Sequence, residues 1–171
     1  IAKFSRTSTP LMLLQLKHEG YTGYGEASMV PYMGESQQSA AEFLNKVDVS
    51  QFKYPFDFAG IINYLDSIAP GQPAVKAAID IALHDLDGKL KQQPCWQLLG
   101  SDPQQMPVTS FTIGIDKPEM IIKKVKEARD CKVIKVKLGR DSDQELIQTI
   151  RSVTNAPLYV DANQGWTDLQ Q

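Results

Sequence analysis

Two cysteines in 171 residues, Cys95 and Cys131, are too few and too far apart for a disulfide scaffold or a zinc site. Two free thiols fit a reducing, cytoplasmic setting. Histidine is as scarce, and neither His18 nor His84 has a ligand partner at helical spacing, so both read as structural or solvated. Charge of one sign is also missing: 18 Lys and Arg stand against 20 Asp and Glu, a formal net charge of -2. That balance gives no footprint for nucleic acid or an anionic membrane. No apolar run approaches the roughly 20 residues of a membrane-spanning helix; the densest patch, Leu11–Leu14, is strand-sized. The start shows no signal-peptide pattern. Ile1 is not a methionine, and Gln171 follows shortly after a helix start at Thr167, so the chain is expected to be a piece of a longer one.

What is present is globular: 42% hydrophobic and 22% charged residues. Leu11 to Glu26 reads as a β-hairpin turning at His18-Glu19-Gly20. Helical spacing follows. Ser36 caps a helix carrying Ala40, Phe43, Leu44 and Val47; Asp57–Ile68 forms a second. A third, from Pro73 to Leu90, places Val75, Ala78, Ile79, Ala82, Leu83 and Leu86 on one face. Pro94 ends it, and a Trp96–Leu99 turn closes at Gly100.

Beyond Pro107 the rhythm changes. Strands are expected at Val108–Ile115, Val133–Leu138 and Leu158–Asp161. Helices between them start near Pro118 and at an Asp141 or Ser142 cap. The alternation predicts a parallel sheet, a barrel or a doubly wound fold. The fold class is thus α/β. Residues 1–100 form a hairpin-plus-helices domain, and 101–171 the first three βα units of a parallel domain. An eight-stranded barrel needs about 250 residues, so most of one is absent.

The strand Val133-Ile134-Lys135-Val136-Lys137-Leu138 alternates strictly. Lys135 and Lys137 therefore share one face, and Ile134, Val136 and Leu138 the other. A parallel strand between helices normally buries both faces, so two ammonium groups near its C-terminal end need compensation. A solvated antiparallel strand is the plainer alternative, and the β/α rhythm on both sides argues against it. A lysine is a poor base at neutral pH, with a reference pKa of about 10.4. A like charge on the same face and a nearby metal lower it toward use. The pair reads as a base and its tuner.

The next strand ends in Val160-Asp161-Ala162-Asn163-Gln164-Gly165-Trp166. Asp161, at the C-terminal end of a buried strand, is a good oxygen ligand for Mg²⁺. Asn163 reaches the same site with both a donor and an acceptor. A helix-capping loop is the plain alternative. Elsewhere, Asp80, Asp85 and Asp87 read as polar surface, and Glu26 and Glu35 as solvated loop acids. Lys123, Lys124 and Lys126 read as an exposed helix face, and Gly23 and Gly25 lack a nucleotide-binding setting.

The Lys135-Val136-Lys137 strand followed by Asp161-Ala162-Asn163-Gln164-Gly165-Trp166 resembles the muconate-lactonizing branch of the enolase superfamily. Gly23-Tyr24-Gly25-Glu26-Ala27, Gly34-Glu35-Ser36 and the stretch Ala77 to Leu86 look like that branch's capping domain. Phe111-Thr112-Ile113-Gly114 and Lys137-Leu138-Gly139 look closest to dipeptide epimerases, those of the L-Ala-D/L-Glu type. The resemblance implies an N-terminal α+β capping domain lacking its first strand, then the first part of a TIM-like (β/α)7β barrel. It implies Lys137 as acid/base and Lys135 as neutraliser of the substrate carboxylate and tuner of Lys137. Asp161 is then the first of three acidic Mg²⁺ ligands, and Thr112, Asn163 and Arg6 are substrate contacts. The implied reaction is epimerisation of a dipeptide, one with an acidic residue among the candidates, through a metal-stabilised enolate, the chemistry by which the superfamily is generally described. The second base and two further carboxylates lie in later strands of relatives, so these residues alone are expected to be inactive. Neither nucleic acid nor membrane is an expected partner; a homo-oligomer is possible. A cycloisomerase, an o-succinylbenzoate synthase-type dehydratase, a Schiff-base barrel aldolase and a non-enzymatic binding protein remain alternatives.

Overall fold

The computed structural model describes residues 8–29 and 33–167, which divide into two compact units at Gln104/Gln105. Arg6 lies outside the described residues.

The first unit opens with β1 (Leu11–His18) and β2 (Tyr21–Ser28), paired antiparallel from Leu11 opposite Ser28 to His18 opposite Tyr21. Glu19 and Gly20, both at positive φ, make the two-residue turn whose twist suits a hairpin. Three helices follow: α1 (Gln37–Leu44), α2 (Phe58–Ile68) and α3 (Pro73–Lys91). A short α4 (Cys95–Leu98) comes last. Ser36 and Ser39 cap α1 reciprocally, and the Asp57 carboxylate caps α2 at Gly60 N–H, 3.0 Å away. The apolar face of α3 is the spine of this unit. Val75, Ala78, Ile79 and Leu83 are buried with Phe43, Leu65 and Ala27 in one cluster. Each large side chain so buried contributes about 1.5–3 kcal/mol.

The hairpin can lie on α3 because β2 carries no side chain where the two meet. A Cβ on Gly25 would overlap the carbonyl of Ala78, and one on Gly23 the carbonyl of Ala82. These glycines serve close packing of strand on helix.

Three acids read as solvated in the sequence are not. Glu35 is buried, and both its carboxylate oxygens accept the Ala74 N–H, at 2.9 and 3.1 Å. It caps α3, whose own N-cap residue Gln72 makes no side-chain cap bond. Asp87 is 3% exposed and paired with Lys91 at 2.9 Å. Asp85, half-buried, accepts from Tyr24 N–H at 2.8 Å and from Lys89 at 2.6 Å. The partner lysines stand at i,i+4 and are legible from helical spacing, whereas the Tyr24 N–H from the neighbouring strand is not. The helix ends at Lys91, three residues before Pro94, because Gln92 turns left-handed (φ 54°). His84 stacks flat on Phe58, ring centroids 4.1 Å apart, a packing role.

The second unit is a parallel three-stranded sheet in the order β3 (Ser110–Ile113), β4 (Val133–Lys137), β5 (Leu158–Asp161). Its connections run through α5 (Pro118–Glu127) and α6 (Asp143–Arg151). β3 is shorter than the apolar run predicted, and Val108 is half-exposed. Ile113, Ile134, Val136 and Leu138 pack with Ile121, Val125, Leu146 and Ile150 between sheet and helices. That packing fixes which face β4 turns to the helices. Lys124 bonds Asp116 at 2.8 Å rather than standing free on its helix face. Cys95 and Cys131 are free thiols. Among the described residues, no helix is long and apolar enough to cross a membrane.

Candidate active site

With Ile134, Val136 and Leu138 committed to the helices, strand alternation turns Lys135 and Lys137 to the opposite face. β5 runs parallel beside β4 with Lys137 opposite Asp161 and Lys135 opposite Tyr159. Both amines reach one carboxylate oxygen: Lys137 Nζ is 2.8 Å and Lys135 Nζ 2.9 Å from Asp161 Oδ2. The three side chains are partly buried, 20%, 36% and 27% exposed for Lys137, Lys135 and Asp161. The other oxygen, Oδ1, accepts the Asn163 N–H at 2.9 Å. Hydrogen bonds from Lys137 and then Lys135, with the Asn163 N–H, hold the Asp161 carboxyl well below the usual carboxylate range. It is a firmly ionised anion between two cations.

Thr112 lies in the same register row as Lys135, on the same face and exposed. Asn163 begins a left-handed pair with Gln164, φ 46° and 62°. Its side-chain Oδ1 is buried and has no hydrogen-bond partner. The sheet thus gathers Lys135, Lys137, Asp161, Asn163 and Thr112 at the C-terminal ends of its strands, where parallel α/β folds place their chemistry.

One residue of this region escaped the sequence reading. Asp141 and Ser142 were the expected caps of α6; Ser142 occupies that position but makes no side-chain cap bond. Instead Asp143 accepts the N–H groups of Gly139 (2.7 Å) and Arg140 (3.0 Å), and the Trp166 indole N–H (2.9 Å). An acid four residues after a glycine at a strand end was the available signal.

A hard divalent cation fits this donor set as a partial site. Asp161, an ionised oxygen donor at the strand end, is the residue that could hold the ion. Mg²⁺ keeps several waters and takes one or two carboxylates, so a full protein cage is not required. Among the described residues, no group of three His, Cys, Asp or Glu side chains could enclose a metal.

A hairpin-and-helix unit followed by parallel βα units, with paired lysines facing a strand-end aspartate, is the arrangement that the resemblance to the enolase superfamily implies. The family model described as mandelate racemase / muconate lactonizing enzyme, N-terminal domain, matches residues 1–100, and the chain belongs to that family. It is 52% identical over 171 residues to the L-Ala-D/L-Glu epimerase of Bacteroides thetaiotaomicron, covering 99% of this chain and 45% of that protein. The chain therefore spans about half the length of the curated relatives it matches. Among solved structures it resembles an N-succinyl Arg/Lys racemase from Bacillus cereus (TM-score 0.82, 28% identity, 98% of this chain and 48% of that one). It also resembles a dipeptide epimerase from Cytophaga hutchinsonii complexed with Mg and D-Ala-L-Val (TM-score 0.69, 30% identity, 92% and 45%).

Proposed function

We propose that this chain is the proton-transfer half of a dipeptide epimerase, with residues 1–100 as capping domain and 101–171 as the first three βα units of a (β/α)7β barrel. Val160 supports the continuation of that sheet. It pairs in register with buried Val136 yet is 52% exposed, an apolar position of the kind a following helix covers. The observation that carries the functional reading is the meeting of Lys135 and Lys137 on one oxygen of Asp161.

Lys137, the less exposed amine, takes the α-proton of the substrate residue and returns one to it. Lys135, at the same face, neutralises the substrate carboxylate. Thr112 and Asn163 orient the substrate, Asn163 through its unpartnered Oδ1, which can accept an N–H. Arg6 is assigned to an acidic substrate side chain on the family resemblance. Asp161 would hold Mg²⁺, which would supply electrostatic stabilisation for negative charge developing on the substrate carboxylate. Inversion further requires a second base on the opposite face of the substrate.

The 52% identity to an L-Ala-D/L-Glu epimerase makes L-Ala-L-Glu the first substrate to try. In D₂O, the full-length protein with Mg²⁺ is expected to place deuterium at the α-carbon of the glutamate residue. EDTA should stop the exchange and added Mg²⁺ restore it. Exchange that ignores EDTA would remove the metal from this reading. Absence of exchange across a dipeptide panel would remove the reading itself.

A further inference from the structure

We propose that Asp143 is a positioning residue, a clasp between the loops after β4 and β5 that fixes where Lys137, Asp161 and Asn163 stand. The inference rests on the proton-transfer reading above and extends it to a residue outside the lysine–aspartate cluster.

The first loop leaves β4 directly after Lys137. Its Gly139, at φ 108°, donates its N–H to Asp143 Oδ2, and Arg140 donates to Oδ1. The second loop leaves β5 at Asp161 and is a strained shape. Asn163 and Gln164 are non-glycine residues in the left-handed region, a conformation that persists only where surroundings hold it. Inside the loop, Gly165 N–H bonds Ala162 carbonyl at 2.8 Å and Asn163 N–H bonds Asp161 Oδ1. At its far end the Trp166 indole N–H donates to Asp143 Oδ2, the oxygen that also holds Gly139.

One carboxylate therefore closes a ring. Its other closure is the Leu138 N–H to Asp161 carbonyl bond at 3.0 Å, at the strand ends. Asp143 and Trp166 both line a cleft of about 310 Å³ with Gly139, Arg140 and Gly165, and their hydrogen bond spans it. Bonds to an ionised acceptor are the stronger kind, and Asp143 is anchored as the first residue of α6. Losing the indole donor frees the far end of the loop carrying Asn163. Losing the carboxylate frees both loops.

Two variants of the full-length protein test this. Trp166→Phe deletes the indole N–H and keeps an aromatic ring; Asp143→Ala deletes both acceptor oxygens. The readouts are amide hydrogen exchange at Gly139 and Asn163, and kcat and KM for α-deuteration of L-Ala-L-Glu. Both variants are expected to speed Asn163 exchange, and Asp143→Ala also that of Gly139. Misplacement of reacting groups by about 1 Å can cost about a hundredfold, so kcat should fall about ten- to a hundredfold with KM within about twofold. The double variant should lose no more than the worse single one, as partners in one interaction do. Should Asp143→Ala fail to fold, Trp166→Phe decides. Wild-type kcat in Trp166→Phe, an unchanged Asn163 amide, a loss confined to KM, or losses that multiply would each overturn the clasp. A wild-type protein that deuterates no dipeptide sinks the proton-transfer reading instead, and Asn163 exchange then decides the clasp alone.

Discussion

Lys137 and Asp161 are register partners on neighbouring parallel strands, and their side chains close the pairing with a 2.8 Å ion pair. In a parallel ladder, opposite residues project to the same side of the sheet, so backbone pairing and ion pair support one another. Lys135, two register rows away, reaches the same oxygen.

Removing the amine of Lys137 tests the assigned proton transfer. Lys137→Ala in the full-length protein is expected to lower α-deuteration of L-Ala-L-Glu by about 10²–10⁴-fold, the usual worth of a positioned acid/base. The check is ¹H NMR loss of the α-proton signal in D₂O. A loss below tenfold would move the acid/base role to another residue.

Glu35 should matter for stability rather than chemistry. Glu35→Ala strips the Ala74 N–H of its carboxylate acceptor at the start of α3, and a lost cap costs about 0.5–2 kcal/mol. Urea unfolding should show a lower midpoint with an unchanged slope.

Gly25→Ala should be far more damaging. The new Cβ would overlap the Ala78 carbonyl, backbone on backbone, so no side-chain rotation relieves it. The hairpin must lift from α3, at a cost of about 3 kcal/mol or more. A fall in melting temperature or in folded yield measures it, with Gly114→Ala, where a Cβ meets open space, as the contrast.

Acid should weaken the contact between β2 and α3 through Asp85. Burial alone would raise its pKa; the Lys89 hydrogen bond, the Tyr24 N–H and the Lys89 charge together outweigh it and lower the carboxyl. A depressed folded pKa gives stability that is complete above the unfolded value of about 3.9 and is lost as pH falls through the folded one. The pair is over a third exposed, so solvent screening holds its worth to about 1 kcal/mol or less. Asp85→Asn should therefore be slightly less stable than wild type at neutral pH. The gap should close on going below about pH 4 in urea titrations.

Much of this molecule was legible residue by residue. The alternation in Val133–Leu138 assigned Lys135 and Lys137 to one face, because a strand's period of two is local and needs no partner to be read. The 3.6-residue rhythm of Val75 to Leu86 likewise marked the buried stripe of α3. Tertiary structure alone decided that both lysines end on one oxygen of Asp161, since strand register is set by neighbours 24 and 26 residues away. It also decided that Glu35 caps a helix 39 residues downstream, and that Asp143 joins Gly139 to Trp166. A carboxylate carries no sign in the sequence of which distant N–H groups it will meet. Periodicity encodes the face a side chain takes, and only the folded chain brings its partner within hydrogen-bond reach.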